Sequence, residues 1–377
     1  MLNETTSETL KKGVITSVEN QIEIQIENKK PKKVHLHNIY DKKTLEKKLS
    51  KEVEPRVTIS LYKYTILKDL AGYRADLYKE WSKLGVLGRI YIAEEGINAQ
   101  FNVPRSNLEA LKESIERRFP GTPLKFAVEN GSSFLKLIVK VKKKILADGQ
   151  NDGSYDVTDV GNHLTAKEWN EAMEKEDTIV VDVRNHYEHE IGHFKGALLP
   201  DSETFSEELP MIKEMLDGKE DKKVLLYCTG GIRCEKTSAW LKDKGFKDVN
   251  QLHGGIIDYK RQIDEQGLEN KFIGKNFVFD ERLGERISED VISKCHTCGK
   301  PSDDHLNCSW QGCHILFIQC NDCRSKLDSC CSKDCQDKIH LPLVERKFLL
   351  KNIVSVKGRY KRPEKERAIK NSTELLH

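Results

Sequence analysis

No uncharged apolar run in this 377-residue chain approaches the ~18 residues that a membrane-spanning helix needs. Met1–Leu10 has no basic stretch leading into an apolar one, so no secretory signal is expected. Both absences argue against membrane and secreted classes, and a cytoplasmic protein with no membrane partner is expected. No glycine-rich dinucleotide or flavin fingerprint is present. No two histidines and a carboxylate suited to non-haem iron stand out. The first 227 residues contain no cysteine at all.

Charge, by contrast, is plentiful. Asp, Glu, Lys and Arg make up 33% of the chain, against a usual ~25%, yet the net charge is only +3. The excess is unevenly placed. Lys136, Lys140, Lys142, Lys143 and Lys144 crowd one strand-like stretch, and the tail from Arg346 to Lys370 carries ten Lys or Arg. Either patch alone reads as a solvated face or a frayed tail. Two such patches in a nearly neutral chain point to a polyanion partner.

At roughly 150 residues per domain, the length predicts two to three domains. Residues 13–27 alternate apolar and polar around Glu19-Asn20, which predicts a hairpin within an N-terminal extension, 1–55, whose remainder is a lysine-rich link. From 56 to 146 the rhythm is α+β. Strands are expected at Val57–Tyr64, Leu87–Ala93, Ile97–Val103, Leu124–Val128 and Phe134–Val141, with helices at Ala71–Leu84 and from Pro104 to Phe119. That order is the ferredoxin-like split unit with one extra strand. Residues 147–161, rich in Asp, Gly and Asn, read as a linker.

Beyond the linker the rhythm becomes α/β. Thr165 and Glu168 form a capping box. Thr178–Val183 and Lys223–Tyr227 are short, nearly all-apolar strands of the parallel, doubly covered kind. Helices are expected near Glu207–Leu216 and from the loop after Tyr227 to Lys244, followed by a strand at Val249–Leu252 and a last helix opening at Gly254-Gly255. This is a three-layer α/β domain over 161–267.

Its chemistry lies in Cys228-Thr-Gly-Gly-Ile-Arg233, between a buried strand and a helix. Small residues let the backbone N–H groups turn inward, and the helix adds its positive end. A cysteine there is favoured as thiolate, with Arg233 adding fixed charge. An inert buried cysteine is the bland alternative, and the flanking glycines and arginine argue against it.

The span Gly161–Gly267 resembles a rhodanese domain. The marks are Val181-Asp182-Val183-Arg184, Glu188, Gly192-His193-Phe194-Lys195-Gly196-Ala197, the Cys228 loop, and Leu252-His253-Gly254-Gly255. The related phosphatases use a longer loop, usually with His before the Cys, where this chain has Tyr227. A second cysteine, Cys234, follows Arg233 directly. With Arg89-Ile-Tyr-Ile-Ala-Glu-Glu-Gly-Ile-Asn98 before it and Gly312-Cys-His-Ile-Leu-Phe-Ile-Gln-Cys320 after it, the chain resembles the bacterial rhodanese-like tRNA uridine hydroxylases over residues 56–340. The resemblance implies oxygen-dependent conversion of the wobble uridine, position 34, of tRNA to 5-hydroxyuridine. It implies tRNA as partner, oxygen as co-substrate and an electron donor that it does not identify. Cys228 would be the essential cysteine, with Arg233 and Cys234 beside it; Cys234 reads equally well as packing. Asp182, Arg184, His193 and His253 read as structural. Glu94, Glu95 and Asn98 are candidates to face the site from the first domain, although a tight turn explains Asn98 as well. A sulfurtransferase passing persulfide from Cys228 to a thiol acceptor is the rival reading, and a zinc-stabilised RNA-binding scaffold a third.

Nine of the 11 cysteines fall between Cys295 and Cys335, in a module expected at 290–340 ahead of a basic tail, 341–377. Clustering in one segment of a long chain points to metal rather than a disulfide scaffold. Cys295-x2-Cys298 and Cys320-x2-Cys323 are knuckle spacings, and Cys308-x4-Cys313 and Cys330-x4-Cys335 repeat in the same order. Eight thiolates suit two structural Zn²⁺ ions. Cys331 is then spare, although it can exchange roles with Cys330, and the pairing scheme stays open. His296, His305 and His314 are not expected as ligands.

Overall fold

The computed structural model describes residues 36–128, 133–151 and 153–351. The expected hairpin at 13–27 and most of the basic tail lie outside them. The stretch expected as a link contains a helix, α1 (Lys42–Leu49), capped by Asp41, whose side chain accepts from the Thr44 N–H. None of its residues is buried, so no apolar periodicity announced it.

The first sheet is built from β1 (Arg56–Tyr64), α2 (Leu70–Lys83), β2 (Leu87–Ala93), β3 (Gly96–Pro104), α3 (Leu108–Arg118), β4 (Lys125–Phe126) and β5 (Leu137–Val141). A 3₁₀ turn at Arg105–Asn107 precedes α3, so Pro104 ends the strand rather than opening the helix. The strand order β4-β1-β3-β2 is the ferredoxin-like one, and β5 adds itself parallel to β2 at the far edge. Trp81 of α2 is fully buried against Phe101 (ring centroids 5.2 Å apart) and donates to Ser114 Oγ of α3 at 3.1 Å. Both helices are thereby held on one face of the sheet.

Residues 147–161 are anchored, not slack. Asp148 is buried and accepts from Lys144 and Tyr155, and Tyr155 enters the core of the next domain. That domain runs β6 (Asn162–Leu164), α4 (Ala166–Met173), β7 (Thr178–Asp182), α5 (His186–His189), β8 (Gly192–Phe194), α6 (Phe205–Met215), β9 (Lys223–Tyr227), α7 (Ile232–Asp243), β10 (Asp248–Leu252) and α8 (Gly255–Gln266). The strands β6-β10-β9-β7 form a parallel sheet. Val181, Val224 and Leu226 pack with α6 and α7, whereas Val180, Leu225 and Tyr227 pack with α4 and α8. Alternate residues thus enter opposite cores, which explains why these strands read as continuous apolar runs. The capping box at Thr165 and Glu168 is formed.

The C-terminal part is stitched on through β11 (Phe272–Asn276), which pairs antiparallel with β8 and with β12 (Glu285–Arg286). The remaining elements are β13 (His305–Asn307), β14 (Leu316–Ile318), α9 (Asn321–Lys326), α10 (Lys333–His340) and α11 (Leu343–Lys351). Among the described residues, no helix is long and apolar enough to cross a membrane.

Candidate active site and metal centre

β9 delivers Cys228 to the end of the parallel sheet. Gly231, with φ +97°, turns the chain into α7, a conformation that L side chains rarely adopt. From the opposite side Gly255 comes so close that a Cβ there would lie 2.5 Å from the Cys228 carbonyl oxygen. The Ile256 and Ile257 N–H groups then donate to the Cys228 and Thr229 carbonyls at 3.0 and 3.2 Å. The distant Leu252–Gly255 mark is therefore part of the loop's support.

Cys228 is wholly buried, and its Sγ accepts from the Gly231 N–H at 3.1 Å. Burial alone would raise this thiol. The hydrogen bond from the Cys234 side chain, the Arg233 charge and the backbone N–H groups of both residues outweigh it and bring the thiol down to about 5. Cys228 is thus a thiolate at neutral pH. Cys234, buried in the first turn of α7, is pushed the other way by burial and by that same hydrogen bond to Cys228, so it remains a thiol. The two sulfurs share one proton between unequal partners.

Arg233 does more than add charge. Its two terminal nitrogens donate to Glu188 Oε1 and Oε2 at 2.5 and 2.8 Å, a bidentate pair that locks the loop to α5. Arg184 pairs with Asp182 in the same way, at 2.6 and 2.8 Å, with both residues fully buried. Leaving either charge alone there would cost about 3–5 kcal/mol, so this second pair braces the domain. His193 bonds a neighbouring carbonyl, and His253 stacks edge-on to His163.

The first domain does reach the loop, but through residues that the sequence did not single out. Glu95 accepts from the Ile145 N–H and from Lys236 of α7, Asn98 donates to the Ile145 carbonyl, and Glu94 lines a cleft with Ile66–Leu70. Of the three, Glu95 ties the first domain to α7, whereas Glu94 and Asn98 make their contacts within the first domain. The residues that face the loop are Tyr62 of β1 and Lys125 of β4. The Tyr62 hydroxyl donates to Glu235 at 2.8 Å and would meet a Cβ on Gly231 at 3.0 Å. No local motif marks either residue; only the strand order brings β4 beside β1, with Lys125 against Gly230 and Tyr62 against Gly231 and Glu235.

Two groups of four cysteines gather in the C-terminal module. Cys295, Cys298, Cys320 and Cys323 form one, and Cys308, Cys313, Cys331 and Cys335 the other, each with all sulfurs within 4.8 Å of one another. Cys298–Cys320, Cys313–Cys331 and Cys331–Cys335 are each 3.7 Å apart. The edge of a tetrahedron of sulfurs 2.3 Å from Zn²⁺ is about 3.8 Å, so the residues fit the ion. The knuckle pairs join each other and the wider pairs join each other, so the expected repeat units interleave. One assignment needs correction: Cys331, not Cys330, completes the second group. Cys330 is wholly buried and packs with Trp310 and Phe317, because the turn at Asp328 and Ser329 (φ +50° and +59°) rotates its side chain into the small core. His296 pairs with Glu190, and His305 stacks on Phe277.

A parallel sheet with helices on both faces and a six-residue loop opening on Cys228 define a rhodanese-like protein. Three family models match in tandem: the UPF0176 acylphosphatase like domain over residues 56–145, the Rhodanese-like domain over 165–262 and Rhodanase C-terminal over 273–336. The tRNA uridine(34) hydroxylase of Leptospira interrogans is 57% identical over 85% of this chain and 88% of its own. That of Yersinia enterocolitica is 50% identical over 83% and 90%. A rhodanese-like domain from Anabaena sp. aligns with 30% of this chain and 80% of its own, at 17% identity and TM-score 0.25. This chain belongs to the tRNA uridine(34) hydroxylase family.

Proposed function

We propose that this protein is an oxidoreductase that hydroxylates uridine 34 of tRNA to 5-hydroxyuridine in the cytoplasm, with oxygen as co-substrate and the Cys228 thiolate as the essential group. The observation that carries the reading is that the loop meets a second domain. Tyr62 and Lys125 close over the same six residues that hold the thiolate, whereas passing sulfur to a small thiol needs no such partner. Arg233 and Glu188 hold the loop's shape, and Cys234 supplies a hydrogen bond to the sulfur. Zn²⁺ in the two cysteine groups would contribute folding energy rather than chemistry. Nucleoside mass spectrometry tests the reading. Cells lacking this protein should lose 5-hydroxyuridine from tRNA and regain it on re-expression. Unchanged tRNA in the deletion strain would refute it and leave sulfur transfer as the reading to pursue.

For the partner, the strand β5 and its continuation offer Lys136, Lys140, Lys142 and Lys143 as exposed cations, while Lys144 is committed to Asp148. They suit bonds to phosphate, which position a nucleic acid without reading its bases. Charge reversal at Lys142 and Lys143 should weaken tRNA binding and lower the log–log salt slope by about one unit for each phosphate left without its cation. Filter binding at two salt concentrations checks this, and unchanged affinity would remove the patch from the interface.

A further inference from the structure

Arg233 is the cation expected to serve a ligand at Cys228, but Glu188 occupies both of its terminal nitrogens. A guanidinium so paired fixes the loop and has little left for a substrate. The cation that remains is Lys125, on the edge strand β4 of the ferredoxin-like domain. Its stem lies along the loop, where a Cβ on Gly230 would be 3.8 Å from its Cδ. Its ammonium stands 4.1 Å from the centroid of the Tyr62 ring. It has no hydrogen-bond or ion-pair partner among the described residues.

The charges that face Lys125 come from three elements: Cys228 in the loop, Glu235 on α7 and Asp258 on α8. Two of these are already engaged. Glu235 accepts from Tyr62 and Gln251 and meets His163 at 3.1 Å, and Asp258 accepts from Arg261 and Gln262. Burial lowers the lysine to about 8, with the Cys228, Glu235 and Asp258 charges opposing the fall. It therefore remains mostly an ammonium at neutral pH, and no described residue claims its three N–H donors.

We propose that Lys125 is a catalytic residue of the Cys228 site, supplied by the other domain, whose ammonium donates to a carbonyl oxygen of the uracil brought to the thiolate. The proposal rests on the uridine-hydroxylation reading and extends it. Uracil has no charge of its own to attract a cation. Addition of the Cys228 thiolate to C6, however, forms an S–C6 bond and breaks the C5=C6 π bond, whose electron pair moves through C5 onto the C4 carbonyl oxygen as an enolate. A donor already fixed where that charge develops stabilises it far more than water would, because nothing has to reorganise. The division of labour follows the geometry: backbone N–H groups and Cys234 serve the sulfur, and Lys125 serves the base.

The test uses the full chain, expressed in a bacterium without its own tRNA uridine hydroxylase, with the rate of 5-hydroxyuridine appearance followed after induction. Lys125→Met should lower that rate by about a hundredfold, the scale for losing one fixed donor. The purified variant should bind unmodified tRNA as tightly as the native protein. Lys125→Arg, which keeps a donor and the charge, should recover part of the rate. Should the Met variant fail to fold, Lys125→Gln is judged by the same measures. A Met variant working at half the native rate or better overturns the proposal. So does a loss of tRNA affinity that matches the loss of rate, since Lys125 would then be a phosphate ligand. A native protein that forms no 5-hydroxyuridine overturns the hydroxylation reading itself, and it does so before any variant is compared.

Discussion

Replacing Cys228 by serine should leave a folded, zinc-bearing protein that forms no measurable 5-hydroxyuridine. The loop binds an anionic sulfur: the Gly231 N–H points at Sγ, and the thiol is held at about 5. A hydroxyl in the same place accepts the same hydrogen bond but stays protonated at any pH the protein survives. The loss should reach roughly three orders of magnitude or more, as for removal of a nucleophile elsewhere. Folding should suffer little, by about 1 kcal/mol, because the two side chains nearly match in size. Cys228 sits at the end of β9 within the core that Val224 and Leu226 build, and a serine there leaves that core filled. Nucleoside mass spectrometry of complemented cells, with a melting curve of the purified variant, separates the two effects. Native levels of modification from a soluble Cys228→Ser protein would remove the thiolate from the mechanism.

Much of this site was legible in the sequence because its chemistry is local. The strand, the glycines and the arginine of residues 223–233 lie within a dozen positions, and each constrains its neighbours. The capping box at Thr165 is legible for the same reason. Glu188 was visible as a mark, but its partner was not, since the pair with Arg233 spans 45 residues. Lys125 was harder still. One lysine among many in a two-residue strand carries no pattern, and it gains meaning only when β4 lies beside β1 and against α8 and the Cys228 loop. The helix α1 escaped because a helix that buries nothing shows no apolar period. Local motifs are readable along the chain, whereas contributions that cross from one sheet to another depend on strand order.

The cysteine module shows the same contrast, and two substitutions test it. Cys330 and Cys331 are adjacent, both fit a plausible spacing to Cys335, and spacing alone does not choose between them. The fold does choose: Cys331 lies 3.7 Å from Cys313 and from Cys335, while Cys330 faces Trp310 and Phe317. The native protein should hold about two zinc ions per chain, each on four thiolates. Cys331→Ser should lower that to about one, because three thiolates and a hydroxyl bind far more weakly than four thiolates. The damage should extend further than one site. The two groups interleave along the chain, so the segment between Cys308 and Cys331 carries Cys320 and Cys323 of the other group. A structural zinc site contributes on the order of 10 kcal/mol to folding, and its loss should lower the melting temperature of the module sharply. Cys330→Ser should keep both ions and cost only what a hydroxyl costs in a small apolar core, about 1–3 kcal/mol. Elemental analysis of the three purified proteins decides the matter. Retention of two ions by Cys331→Ser together with loss of one by Cys330→Ser would reverse the assignment, and iron with visible absorbance in the native protein would replace zinc with a cluster.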